Sequence, residues 1–145
     1  MEEKPVNHRL PFAIPLVLIL GGLSSLHAYW AMGGRWGSAH TVPVANGRPT
    51  ISPSPRATWI VSALLGFATI LVIGKAGWIG TESLGWLFDA GMWGLSLTFL
   101  ARTVGNLRPF GFFKKITGTP FARWDTWLYT PLCLLIALLA AGLAR

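Results

Sequence analysis

Charge is what this sequence has least of. Asp, Glu, Lys and Arg make up only 12 % of its 145 residues, about half the share of an ordinary soluble domain. Cysteine is nearly absent too. The single Cys133 lies in an apolar run, so an intramolecular disulfide is impossible and neither a Cys-x-x-Cys pair nor a Cys/His zinc spacing exists. A thiol oxidoreductase built on a membrane four-helix bundle, which needs a cysteine pair, is excluded. The sequence also lacks an HExxH, a P-loop, a GxSxG and a dinucleotide fingerprint. No internal repeat or low-complexity segment is visible. No cofactor and no metal are implied.

What is present is apolar. Hydrophobic residues make up 52 % of the chain and the mean hydropathy is +0.53. Charge-poor runs alternate with short charged segments, a pattern of repeated bilayer crossings in which lipid takes the place of a soluble core. The length allows one domain, residues 1–145. Four spans are expected, at about 11–32, 57–78, 82–104 and 125–144, each long enough at about 1.5 Å per residue to cross about 30 Å of hydrocarbon. Pro11 to Met32 exceeds the usual signal-peptide core of roughly 7–15 apolar residues, so it reads as a retained span. Gly21, Gly22, Ser24 and Ser25 place small residues in its middle, where they permit close helix approach. The third span is the weakest, because it contains Asp89 and several glycines. Ile79 to Thr81 reads as a tight hairpin, with Thr81 as the N-cap of the helix that follows.

The net charge of +7 raises nucleic acid as a partner. The basic residues sit at the ends of apolar runs, however, where lipid headgroups account for them without a groove-binding fold. Their distribution sets an orientation. The loops 33–56 and 105–124 hold Arg35, Arg48, Arg56, Arg102, Arg108, Lys114, Lys115 and Arg123 in themselves or at their edges, eight in all, against four on the other side, Lys4, Arg9, Lys75 and Arg145. That bias puts the loops in the cytoplasm and both termini outside. The stretch from Ala101 to Cys133 interleaves basic and aromatic residues between two apolar runs, which is what a membrane interface selects. Lys114 and Lys115 among Phe110, Phe112, Phe113 and Phe121 read as an interfacial anchor.

Two constellations could carry chemistry. At the cytoplasmic mouth, antiparallel helices bring together His27, Tyr29, Trp30, Arg102, Asp125 and Tyr129, with Lys114 overhead. Asp125, Tyr129 and Cys133 recur at i, i+4 and i+8 and share a helix face. These residues suit a polar pocket for an anionic or zwitterionic head, and a His27–Asp125 pair could move a proton. The plainer account is that Asp125 caps the fourth helix, Arg102 pairs with it and His27 hydrogen-bonds Tyr129. At the opposite end Asp89 lies two turns inside its span, where an ionised carboxylate costs about 3 kcal/mol. Lys75 is the expected partner, with Glu82 as competitor. An intramembrane acid also raises a proton or cation relay.

The segments HAYWAMGGRWG (His27 to Gly37), ARTVGNLRPFGFFKK (Ala101 to Lys115) and FARWDTWLYTPLCLL (Phe121 to Leu135) resemble a bacterial family of small membrane proteins, domain of unknown function 3995. The resemblance implies a four-span inner-membrane protein and supplies no activity. The expected architecture is all-α: an integral membrane four-helix bundle, antiparallel and up-down. Three function classes fit. The first is a binding or accessory protein whose mouth holds an amphiphilic small molecule or docks a membrane-protein partner. The second is a small enzyme using His27 and Asp125 on an amphiphile. The third is a transporter subunit working through Asp89 as a homo-oligomer. Membrane lipids are partners in all three, and nucleic acid in none.

Overall fold

A computed structural model describes residues 8–38, 42, 44–45, 48–49, 53–79, 84–105, 111–114 and 117–145. The chain is helical nearly throughout these residues. Helix α1 spans Leu10–Ala31, α2 Pro55–Lys75, α3 Gly85–Val104, α4 Pro120–Trp124 and α5 Thr130–Ala144. A π-helical turn at Asp125–Tyr129 joins α4 to α5 without a break. Among the described residues the one strand pairing is between β1 (Val44–Ala45) and β2 (Arg48–Pro49), which run antiparallel inside the expected loop 33–56.

Local chemistry sets the helix ends. The Ser54 hydroxyl accepts from the Ala57 N–H and Pro55 opens α2, where its fixed φ suits the first turn and its missing N–H costs nothing. Thr119 and Pro120 repeat the arrangement at α4, with the Thr119 hydroxyl accepting from the Ala122 N–H. Both α1 and α2 close in the same way. Gly34 N–H bonds Tyr29 C=O while Gly33 N–H bonds Trp30 C=O, and Trp78 N–H bonds Ile73 C=O while Gly77 N–H bonds Gly74 C=O. Gly33 at φ +95° and Gly77 at φ +78° supply the left-handed residue that this pair of bonds needs.

The helices start and stop close to the expected limits except at the last one, where the helical chain begins at Pro120 rather than Asp125. Thr119, not Asp125, therefore caps it. The hairpin at Gly80, the Thr81 cap and Glu82 lie outside the described residues.

Helix α1 packs most extensively on α2 and α3 on α5, with smaller α1–α5 and α2–α3 contacts closing the set. The seam between α1 and α2 is the one the small residues permit. Ser24 Oγ donates to Ser62 C=O at 2.9 Å and Ser62 Oγ donates to Ser24 C=O at 2.8 Å, while Gly66 faces the Ser24 hydroxyl. Between α3 and α5, buried Ser96 donates to the Ala137 carbonyl at 2.9 Å. The core gathers Leu16 and Leu20 of α1, Val72 of α2, Met92 of α3 and Ile136 and Leu143 of α5.

Outside that core the helices remain apolar, with Leu18 70 % and Leu64 63 % exposed. A helix apolar all round is one that belongs in a larger core or in lipid. Leu10–Ala31, Pro55–Lys75 and Pro120–Ala144 are long and apolar enough to cross a membrane. Helix α3 has 20 residues and carries Asp89 and Arg102.

Candidate functional site

Asp125 is the centre of the polar structure. It opens the π-turn, its side chain is fully buried, and donors from three segments converge on it. Arg102 Nη2, from the last turn of α3, reaches Oδ1 at 2.7 Å. Oδ2 accepts from Gly111 N–H at 3.1 Å, Lys114 Nζ at 3.1 Å and Thr130 Oγ1 at 3.2 Å. Lys114 also donates to Thr126 Oγ1 at 2.6 Å. Two cations and two neutral donors leave a buried carboxylate well satisfied, which is the condition for keeping one away from water.

Each donor is placed by its own segment. The π-turn brings Thr130, five residues on, beside Asp125, and Thr130 N–H bonds the Asp125 carbonyl. Pro131 explains why the helix widens there. A proline cannot bond the carbonyl four residues back and its ring collides with it, so the turn opens around Trp127. The 111–114 segment is tied to the end of α3 by Phe112 N–H to Thr103 C=O at 3.0 Å and Phe113 N–H to Val104 C=O at 3.4 Å. Gly111 is forced at this spot. Its φ is +81°, and a Cβ would stand 2.7 Å from Thr103 O and from Gly105 Cα.

The expected mouth residues divide into two groups. Arg102, Lys114 and Asp125 come together. His27 does not join them: its Nδ1 pairs with the Leu23 carbonyl at 2.8 Å and its ring meets Trp30 edge-on at 5.2 Å. Among the described residues it has no hydrogen bond to Asp125 or Tyr129. The Tyr129 ring packs against Phe121 at 6.1 Å.

Tyr29 and Trp30 fold the chain after α1 back on itself. Trp30 Nε1 donates to Trp36 C=O at 2.8 Å, the Tyr29 hydroxyl accepts from Trp36 N–H at 3.4 Å, and a Cβ on Gly34 would collide with the Tyr29 ring. Lys115 lies outside the described residues. The second expected pair is present: Lys75 Nζ bonds Asp89 Oδ1, with Lys75 buried and Asp89 about half exposed. Arg9 donates to the Lys75 carbonyl at 3.1 Å.

Sequence reasoning missed Gly111 and Thr130, and it missed a groove of about 510 Å³ lined by Gly118, Pro120, Arg123, Trp124 and Trp127. Four of those five recur at i, i+3, i+4 and i+7, one helix face, a signal that was there to be counted. Among the described residues no three His, Cys, Asp or Glu side chains gather to hold a metal ion.

A mainly helical chain with three apolar helices of membrane-crossing length and a buried carboxylate paired with two cations has the build of a membrane protein. It belongs to the DUF3995 family of proteins of unknown function, whose model matches residues 20–140. That range contains every residue of the Asp125 junction. No curated protein and no solved structure matches the chain.

Proposed function

We propose that this is an inner-membrane binding or accessory protein of four antiparallel spans, which holds an amphiphilic molecule at the end of the bundle bearing Asp125. Several contacts support the up-down arrangement. Arg9 at the start of α1 meets Lys75 at the end of α2, while Ser24 meets Ser62 deeper in both. Arg102 at the end of α3 meets Asp125 near the start of the α4–α5 helix. The Lys/Arg bias favours a cytoplasmic position for this mouth.

The observation that carries the binding reading is the Asp125 junction itself. One carboxylate locks α3, the 111–114 segment and the α4–α5 helix into a single rigid end. Exposed aromatic residues stand around it: Phe112, Phe113, Trp124 and Trp127. A prebuilt basic and aromatic rim suits an amphiphile whose head meets cations and whose tail meets rings. Proton transfer by His27 and Asp125 gains no support from His27's bond to its own helix. The Lys75 partner of Asp89 favours a neutralised pair over a relay.

The test is native mass spectrometry of the protein released from mild detergent. A discrete retained amphiphile is expected in the wild type and in Leu138→Ala, a change on an exposed face far along α5. Asp125→Asn, verified as helical by circular dichroism, is expected to retain less. Bare wild-type protein would overturn the reading.

A further inference from the structure

Asp125 is already saturated by its own donors, so an amphiphile needs a different contact. The groove on the outer face of α4 offers an exposed cation among rings. It is lined by Gly118, Pro120, Trp124 and Trp127, and its charged group is Arg123. Arg123 is exposed, and Trp127 is 83 % exposed.

The opposite side of the same turns carries buried Phe121, Ala122 and Asp125. The groove is therefore fixed to the locked junction and cannot drift from it. It also lies in the first turns of Pro120–Ala144, one of the helices able to cross a membrane, so it opens at the level where headgroups give way to acyl chains.

We propose that this groove binds an anionic phospholipid of the surrounding bilayer. The lipid phosphate lies on the Arg123 guanidinium and its glycerol and upper acyl carbons lie against Trp124 and Trp127. The proposal deepens the binding reading above and rests on it. The groove is open and about 510 Å³ in extent, which gives room for a headgroup with its adjoining carbons and not only for a bare inorganic anion. The lining decides against a polar solute, because rings and proline carbon surround a single cation. Arginine meets phosphate through a planar fork of donors, and an indole at the headgroup level buries its ring while its N–H stays wet.

The experiment reconstitutes the full chain in nanodiscs of equal phosphatidylglycerol and phosphatidylcholine, and native mass spectrometry counts the lipids retained after the disc is stripped. Wild type is expected to keep phosphatidylglycerol in preference to phosphatidylcholine. Arg123→Gln is expected to lower that preference roughly fivefold, the loss of one basic contact at an anionic surface. Trp127→Ala is expected to lower retention of both lipids. Both side chains are exposed, so folding is unaffected, and thermal unfolding of each variant checks this.

Retention of lipid with an unchanged preference in both variants would overturn the groove while leaving an amphiphile site elsewhere on the mouth intact. A wild type that retains no lipid or other amphiphile would overturn the groove and the binding reading together.

Discussion

Asp125 and Asp89 are both carboxylates paired with lysine, yet their surroundings give them different weight. Asp125 is wholly enclosed, faces two cations and accepts two further hydrogen bonds. Asp89 is about half exposed and has Lys75 as its partner. Removing one member of a buried ion pair leaves the other without its counter-charge, at a cost of about 3–5 kcal/mol. Asp125→Ala is therefore expected to destabilise the protein by that amount, measured by unfolding in detergent. Thr130→Val removes a single hydrogen bond to the same charge and is expected to cost less, about 1.5–3 kcal/mol. A silent Asp125→Ala would mean that the junction contributes no stability, and equal effects would mean that the two cations add nothing beyond a single hydrogen bond. The pairing of Asp125 with Arg102 could be read from the sequence, since both residues sit at the edges of apolar runs that had to meet at one end. Gly111 could not. Its role comes from a left-handed backbone and a contact with the end of α3, and neither leaves a periodic trace.

The α4–α5 helix is where a single residue reshapes an element. Helix propensity alone favours replacing Pro131 with alanine by up to about 3 kcal/mol. The π-turn reverses that expectation. Alanine would supply an N–H for the Trp127 carbonyl, the turn would tighten by one residue, and Thr130 Oγ1 would lose its place at 3.2 Å from Asp125. Pro131→Ala is expected to bring no gain in thermal stability and a net loss if the junction opens. A gain of the size propensity predicts would show that the turn merely tolerates the proline. The same element marks the limit of what hydropathy reveals. Apolar run length placed all four long helices, because length and composition fix them. It started the last one at Asp125, because a five-residue amphipathic turn under a Thr119 cap adds little apolar signal. The small residues of α1 marked a place for close helix approach, and α2 takes it, with Ser24 and Ser62 exchanging hydroxyl-to-carbonyl bonds across the seam. His27 bonds its own helix in place of the expected partners for a different reason. Depth along a helix is legible from spacing, but the rotation that turns His27 to Leu23 and Trp30 is not.

At the scale of the whole molecule the number of membrane crossings turns on α3. Its composition is the least favourable of the four long helices, but its two charges are already neutralised from outside. Asp89 near its start pairs with Lys75 of α2, and Arg102 near its end pairs with Asp125 beyond α4. The two pairs are separated by about 20 Å at 1.5 Å per residue, which leaves a charge-free stretch between them for the hydrocarbon. A helix presented in this way is expected to enter the bilayer with its neighbours, as the four-span arrangement proposed above requires. Four crossings put residues 38 and 117 on one side and residues 78 and 145 on the other. Three crossings, with α3 outside the bilayer, put 78 and 117 together and 38 with 145. Single cysteines introduced as Ser38→Cys, Trp78→Cys, Thr117→Cys and Arg145→Cys in a Cys133→Ser background separate these arrangements. With an impermeant maleimide applied to intact spheroplasts, positions 78 and 145 are expected to label. Positions 38 and 117 are expected to label only after the membrane is opened. Labelling of 78 and 117 together in intact spheroplasts, with 38 and 145 protected, would place α3 outside the membrane.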